Sequence, residues 1–300
     1  MTWIDGKSVL ITGGNTGIGK ATAVALAKLG AHVTIACRNA ERGESARADI
    51  ARISGRDADL VRLDLASLAS VRQTADELDA ADRRFDVLIN NAGVAVFGRR
   101  RTTEDGFERQ FGVNHLGHFL LTTLLIDRIS SRVINVSSAG YALAKAGLRW
   151  DDLQWEQDYD GWSAYGASKL ANLYFTWELA DRLADRGVTA NALHPGFVDT
   201  ELGFRRPDEG GKPRPPLSEL TAEATTATGS TGIDLSALGT PLTAEEGART
   251  SVMLASDPAL ASVSCAYFDD RQQRVEDLGP IALDRAASAR LWEISNQLIA

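Results

Sequence analysis

A chain of 300 residues, 44% hydrophobic and 24% charged, has an ordinary globular composition and enough apolar mass for a large core. A net charge of −8 argues against a general nucleic-acid or anionic-membrane partner, and no apolar run reaches the ~20 residues of a membrane span. Two cysteines, Cys37 and Cys265, are too few for a disulfide framework or a metal cluster and read as buried free thiols; with no signal-peptide pattern in residues 1–7, a cytoplasmic location is expected.

Residues 8–11, Ser-Val-Leu-Ile, predict a strand buried on both faces. The loop Thr12-Gly13-Gly14-Asn15-Thr16-Gly17-Ile18-Gly19-Lys20 follows, then a helical pattern through Ala27 that stops at Gly30. Strand, glycine loop and helix form the setting of a phosphate cradle, because glycines let backbone N–H groups approach a phosphate at a helix N-terminus. The spacing Gly13-x3-Gly17-x-Gly19 is not the common G-x-G-x-x-G, and a purely structural glycine turn is the competing reading. A second strand over 32–37 ends at Arg38-Asn39. No acid stands there to bind a ribose 2′-hydroxyl, whereas an arginine accommodates a 2′-phosphate and stacks on adenine. NADP(H) is therefore expected over NAD(H), against the alternative of a solvated strand-end arginine.

A helix is expected over 40–53, a third strand over 58–63 and a helix from 67 to about 83. Asp64-Leu65 follows the third strand, where Asp64 suits either the adenine amino group or a turn. After a fourth strand over 85–89 comes Asn90-Asn91-Ala92-Gly93, small residues and amides that suit a crevice where a ligand lies against backbone. Residues 103–129 read as one long helix with an apolar middle. Asn114 inside it needs partners or a role; His115 and His118, with no acidic or cysteine partner nearby, read as packing residues, and no metal is expected. A fifth strand over 132–136 ends at Ser137-Ser138, a hydroxyl placed for the same crevice.

Residues 139–161, acidic and carrying Trp150 and Trp155 with Trp162 adjoining, read as a surface excursion that packs near the site. A helix over 163–186 and a sixth strand over 188–193 lead to His194-Pro195-Gly196-Phe197-Val198-Asp199-Thr200. Residues 204–240 concentrate Pro, Gly, Thr, Ser and Ala and read as a substrate-lid insertion, a surface loop without a role being the alternative. Thr243 and Glu246 form a capping box for a helix over 243–255; a seventh strand over 264–268 and a C-terminal helix over 284–299 follow. With no repeat and no boundary, the alternation implies one α/β domain over 1–300. It is one doubly wound parallel sheet of seven strands with helices on both faces.

The 163–186 helix carries Tyr165-Gly166-Ala167-Ser168-Lys169. Residues four apart share a helix face, so Tyr165 and Lys169 point the same way. A free phenol titrates near pH ~10. A fixed ammonium close by favours phenolate, and a lowering by roughly two pH units, about 3 kcal/mol, would let the tyrosine exchange a proton near neutrality. Alone, such a Y-x-x-x-K is more often a packed tyrosine and a solvated lysine.

In combination these motifs resemble the short-chain dehydrogenase/reductase family: Thr12-Gly13-x3-Gly17-Ile18-Gly19, Asn90-Asn91-Ala92-Gly93, Asn114, Ser138, Tyr165-x3-Lys169 and Pro195-Gly196 occur in its order. Asn15-Thr16-Gly17-Ile18-Gly19-Lys20, Ala36-Cys37-Arg38, Asn114-His115-Leu116-Gly117-His118-Phe119 and Arg290-Leu291-Trp292 are most similar to the retinol dehydrogenase-like branch. The resemblance implies a Rossmann-type fold whose seven strands run in the order 3-2-1-4-5-6-7, and a catalytic tetrad of Asn114, Ser138, Tyr165 and Lys169. Tyr165 would be the acid in carbonyl reduction, and Lys169 would lower its pKa and hold the nicotinamide ribose. Ser138 would bond the substrate oxygen, and Asn114 would hold a water on a proton path. Gly13, Asn15, Thr16, Gly17, Ile18, Gly19, Arg38, Asn39, Asp64, Leu65, Asn91, Ala92, Gly93, Pro195, Gly196, Val198 and Thr200 would line the cofactor. Relatives pair through the helices that hold Asn114 and Tyr165, which implies a homodimer or homotetramer. The expected activity is NADP(H)-dependent hydride transfer to or from a carbonyl or alcohol, with a hydrophobic small-molecule substrate. The alternatives are a non-catalytic NADP(H)-binding redox sensor, or a reductase of a double bond or carbon–halogen bond.

Overall fold

The computed structural model describes residues 2–199 and 240–300. Seven strands form one parallel sheet: β1 (Ser8–Thr12), β2 (His32–Cys37), β3 (Asp59–Arg62), β4 (Phe85–Asn90), β5 (Ile129–Val136), β6 (Thr189–Leu193) and β7 (Tyr267–Phe268). Their order is β3-β2-β1-β4-β5-β6-β7, as the family resemblance implies. Each central strand feeds two cores. Val9 and Ile11 pack into one apolar cluster and Leu10 into the other; Val87 and Ile89 oppose Leu88 in the same way. Side chains alternate with period two along a strand, so a run of apolar residues covers both faces at once.

Helices α1 (Gly17–Lys28) and α2 (Ala40–Ser54) cover the first face, and α3 (Leu68–Ala80) lies on the second. Also on the second face is α4, an interrupted helix made of Arg109–Phe111, a π-helical turn Gly112–Leu116 and Gly117–Leu125. The sequence predicts one helix over 103–129, and three local contacts cut it short. Thr102 pairs with Glu108 in an antiparallel bridge, and Thr103 N donates to Phe107 O at 2.8 Å. Glu108 then caps the helix by accepting from Phe111 N at 2.7 Å. At the far end a 3-10 turn, Ile126–Arg128, lets β5 begin at Ile129, three residues before the predicted 132.

The next helix, α5 (Gly161–Leu183), is capped by Asp160, whose side chain accepts from Ser163 N at 2.9 Å. On the first face, α6 (Ala244–Ser256) opens with the expected capping box: Thr243 N donates to Glu246 Oε2 at 3.0 Å, and Glu246 N to Thr243 Oγ1 at 3.2 Å. The last helix, α7 (Arg285–Leu298), lies over α5 and α4. Its Trp292 packs 4.8 Å from Phe119 and 6.0 Å from Phe175, with the Arg182 guanidinium 4.4 Å above the indole. Ser295 meets buried His115 at 2.7 Å. Thus α7 occupies part of the α4–α5 face through which relatives are expected to pair.

Two expectations change. The seventh strand shrinks from 264–268 to two residues, because Cys265 turns with φ 59. Cys265 is consequently exposed; Cys37 is buried as expected. The 139–161 excursion packs against the fold through its tryptophans, as expected. Trp155 is buried under Arg149 at 4.5 Å, and Trp150 lies under Arg290 of α7 at 4.4 Å. Thr200 and residues 204–239 of the expected lid lie outside the described residues.

Candidate active site

The carboxyl ends of β1, β2 and β4 converge on the glycine loop. Gly13 and Gly17 adopt φ +67 and +51, where side chains are rarely tolerated. A Cβ on Gly19 would fall 2.4 Å from Gly13 O and 2.5 Å from Asn91 Nδ2, so only glycine fits. Thr16 is the N-cap of α1 but makes no side-chain capping bond, and the first turn carries no acid. The first N–H groups of a helix lack intrahelical partners and carry the positive end of its dipole. An uncapped, acid-free N-terminus behind a glycine turn fits the pyrophosphate of a dinucleotide, with Asn15, Thr16, Gly17 and Ile18 as the candidate backbone donors.

Asn91 acts as a strut for this loop. Its side chain donates to Thr12 O at 2.8 Å, and its backbone N–H to Thr12 Oγ1 at 2.9 Å. Ala92 N donates to the same hydroxyl at 3.0 Å. His118 completes the joint. Asn114 O, 3.1 Å from Nδ1, can only accept, so Nδ1 carries the proton. Burial pushes the His118 pKa down to about 4 and keeps the ring neutral, which leaves Nε2 to accept from Thr12 Oγ1 at 2.8 Å. The sequence reads His118 as packing; the structure makes it the brace between the glycine loop and the Asn114 turn.

At the end of β2 the Arg38 side chain is 61% exposed, and its Nε stands 3.8 Å from Asp64 Oδ2. Asp64 is held as a turn residue, accepting from Ala66 N at 3.0 Å. Sequence reasoning missed Arg109, on the first turn of α4. Its pKa is lowered first by burial and then by the positive charge of Arg38, with Arg101 contributing and Asp64 opposing. Arg38 and Arg101 therefore act on Arg109 as like charges, with Asp64 and Glu108 opposing them. Asn39 caps α2 by accepting from Arg42 N at 2.8 Å, and Leu65 packs against Gly117, where a Cβ would meet Leu65 O at 2.6 Å.

On the other side of the crevice, Gly196 has φ +81 and its N–H donates to His194 Nδ1 at 3.2 Å. The segment after Pro195 runs beside Leu242: Leu242 N donates to Phe197 O at 2.7 Å, and Asp199 N to Leu242 O at 2.9 Å. Val198 closes on α6 and α1, since a Cβ on Gly247 would meet Val198 Cγ2 at 2.6 Å and Ile18 Cγ1 at 3.3 Å. Val198 is thereby brought beside Ile18 of the glycine-loop helix, while Gly196 lies against Leu242 and Asp270.

Ser138, Tyr165 and Lys169 come together. Ser138 follows β5, its Oγ accepts from Gly140 N at 3.0 Å, and its hydroxyl acts on the Tyr165 phenol by opposing the rise in the phenol's pKa. A Cβ on Gly140 would strike Tyr165 Cε1 at 3.0 Å and Ser138 Oγ at 3.1 Å. Lys169 Nζ lies 5.8 Å from the Tyr165 ring centroid and donates to Val136 O at 3.1 Å. Burial raises the Tyr165 pKa, and the Ser138 hydroxyl opposes it only in part. Burial lowers Lys169 to about 8. The expected lowering of the phenol by the ammonium is therefore not the direction the protein's own groups produce, because desolvation of the phenolate outweighs it. A phenol kept neutral is a proton donor, the form required of an acid.

Asn114 lies in the π turn, where one extra residue re-aims the backbone. Its Oδ1 accepts from Val94 N at 2.8 Å, and its Nδ2 donates to Val94 O and Ser168 Oγ, both at 2.9 Å. The amide clamps the Val94 backbone to α5 through Ser168.

The profile of the short chain dehydrogenases matches residues 7–149 and 153–209. Retinol dehydrogenase 14 of Mus musculus is 44% identical over 309 residues, covering 98% of this chain and 86% of that protein. Retinol dehydrogenase 13 of Homo sapiens is 43% identical over 302 residues, covering 99% and 85%. Among solved structures, an uncharacterized protein from Mycobacterium paratuberculosis is 34% identical with a TM-score of 0.74, covering 100% of this chain and 95% of the other. A blue fluorescent protein from a metagenomic library, in complex with NADPH, is 27% identical with a TM-score of 0.65, covering 89% and 97%. The chain belongs to the short-chain dehydrogenase family of oxidoreductases, and its relatives include retinol dehydrogenases.

Proposed function

We propose that the protein is an NADP(H)-dependent oxidoreductase that interconverts a carbonyl and an alcohol on a hydrophobic small molecule, with Tyr165 as the acid and base. The observation that carries this reading is the meeting of Ser138, Tyr165 and Lys169: a Cβ on Gly140 would touch both Tyr165 and Ser138, and Lys169 Nζ lies 5.8 Å from the Tyr165 ring. Arg38 and Arg109 support NADP(H): Arg38 ends β2 where an acid would bind a ribose 2′-hydroxyl, and the positive charge of Arg38 acts on Arg109. The NADPH complex of a neighbour agrees with that preference. The names of the curated relatives support a hydrophobic substrate, as does the aromatic pair Phe97–Trp162 beside Tyr165.

The bound dinucleotide would supply the hydride. Ser138 Oγ bonds the substrate oxygen where negative charge develops. Tyr165 gives its phenolic proton to that oxygen in reduction and takes one in oxidation. Lys169 supplies positive charge beneath Tyr165 and recovers a proton readily, since its pKa is about 8. Asn91 and His118 hold the glycine loop; Pro195, Gly196, Val198 and Thr200 would hold the nicotinamide end.

Purified protein offered a panel of aldehydes and ketones should consume NADPH faster than NADH. Arg38→Asp should lower the NADPH-to-NADH ratio of kcat/KM by about tenfold to a hundredfold, the worth of a charge-assisted phosphate contact. Tight NADPH binding without turnover on any carbonyl would overturn the reading; an unchanged ratio would show that Arg38 does not read the phosphate.

A further inference from the structure

Phe97 and Trp162, both half-buried, stack with ring centroids 3.8 Å apart and 22° between planes. Phe97 also presents an edge to Tyr165 at 6.2 Å. The two rings come from unrelated places: Phe97 from the segment after β4, Trp162 from the first turn of α5. One side chain ties both to the same point. Gln110 is fully buried one helical turn before Asn114. Its Oε1 accepts from Val96 N at 3.0 Å, and its Nε2 donates to Gly161 O at 3.0 Å and lies 3.4 Å from Val96 O. Asn114 holds the N–H and C=O of Val94 in the same manner. Two amides, four residues apart, thus grip alternate residues of one extended segment, as a neighbouring strand would.

The grip on Val96 fixes Phe97, and the grip on Gly161 fixes Trp162. A Cβ on Gly161 would lie 2.3 Å from Val96 O and 2.8 Å from Phe97 Cα, so the two backbones already touch. Tyr159 reinforces the junction, donating to Val96 O at 3.1 Å, with its hydroxyl 3.3 Å from Gln110 Nε2 and 3.4 Å from Glu108 Oε1. We propose that Gln110 is a positioning residue that sets the Phe97–Trp162 wall beside Tyr165 and so decides which carbonyl substrates lie productively against the phenol. This rests on Tyr165 being the acid of carbonyl reduction. Gln110 itself touches no reacting atom.

The test compares wild type, Gln110→Met, Gln110→Glu, Trp162→Ala and the Gln110→Met/Trp162→Ala double variant. Each is assayed with NADPH and two aldehydes, cinnamaldehyde as a flat bulky probe and propanal as a small one. Gln110→Met keeps the side-chain volume and loses the hydrogen bonds. It should lower the cinnamaldehyde-to-propanal ratio of kcat/KM by about tenfold, mainly through KM, which is the scale on which a pocket wall discriminates. Gln110→Glu keeps the acceptor for Val96 N and should fall between Met and wild type. Trp162→Ala should lower the ratio equally, and the double variant should add nothing further, because both changes disable one wall. Equal losses on both aldehydes, an unchanged ratio, or additive effects in the double variant would overturn the proposal. If Gln110→Met does not fold, the Glu variant and Trp162→Ala carry the same comparison. If wild type reduces neither aldehyde, it is the functional reading that fails. Gln110 is then judged by the fluorescence of Trp162, isolated by difference against Trp162→Phe. A red shift in Gln110→Glu supports the proposal, and an unmoved spectrum contradicts it.

Discussion

The two sides of the crevice are built from opposite materials. The glycine-loop side is made of backbone: the uncapped N-terminus of α1, three glycines without room for a Cβ or at positive φ, and Asn91 wedged against the loop. The Tyr165 side is made of buried side chains: Ser138, Lys169, Asn114 and Gln110 each spend their polar atoms on a named partner. Backbone donors stay in place whatever the side chains do, provided nothing intrudes; buried polar side chains hold a geometry only while every partner is present. The first side should therefore fail when atoms are added, and the second when they are removed.

The sharpest break of the second side is Lys169→Met. Turnover should fall about 10²- to 10⁴-fold, the scale of proton-transfer catalysis. Stability should move the other way. A lysine held at about 8 in the fold and near ~10.4 when unfolded weakens the fold at pH 7 by on the order of 3 kcal/mol, and the variant removes that cost. Val136 O keeps Asn172 Nδ2 as a donor at 3.4 Å, so no carbonyl is orphaned. Urea unfolding at pH 7 checks this: an inactive variant with a higher midpoint is expected, and an inactive variant that is less stable would contradict it.

The matching break of the first side is Gly19→Ala. Its Cβ falls 2.4 Å from Gly13 O, so the loop must move. The dissociation constant for NADPH should rise about a hundredfold, roughly 3 kcal/mol, while the fold persists. Unchanged affinity by fluorescence titration would mean that the loop is not the cofactor cradle.

The joint between the sides is His118, and acid should loosen it. The ring is neutral in the fold with a pKa of about 4, and charged in the unfolded chain below about 6.5. The folded state binds fewer protons over that window. Its stability is fully present above about 6.5 and is lost as pH falls toward 4, by up to about 3 kcal/mol. His115, pushed down to about 3 by burial, extends the loss further. Unfolding midpoints that stay flat from pH 6.5 to 4 would contradict this account. A smaller effect is expected at the α7 seam. Trp292→Ala removes the indole between Phe119 and Phe175 and should cost about 2 kcal/mol, read as a lower thermal midpoint with unchanged KM for NADPH.

The same contrast explains what could be read from the chain. The parallel α/β sheet and the turn at the glycine loop were legible because alternating elements and closely spaced glycines are local signals; the strand order followed from the family resemblance. Tyr165 and Lys169 were legible because one helical turn joins them. Gln110 was not: its partners are 14 and 51 residues away, and it sat inside a stretch whose period suggested one continuous helix. That helix is broken by the Thr102–Glu108 bridge and the π turn, neither of which has a period of its own. Arg109 was missed for the same reason, and only a fold that brings the start of α4 to the ends of β2 and β3 places it beside Arg38 and Asp64. The direction of the Tyr165 pKa could not be read either, since it depends on burial, which a motif does not encode.

The most direct measurement is single-turnover reduction of a carbonyl substrate by Tyr165→Phe, alongside its dissociation constant for NADPH. The account predicts an affinity within about twofold of wild type and a hydride-transfer rate lower by about 10²- to 10⁴-fold. A variant that binds NADPH normally and still turns over within tenfold of wild type would show that the Tyr165 phenol is not the proton donor.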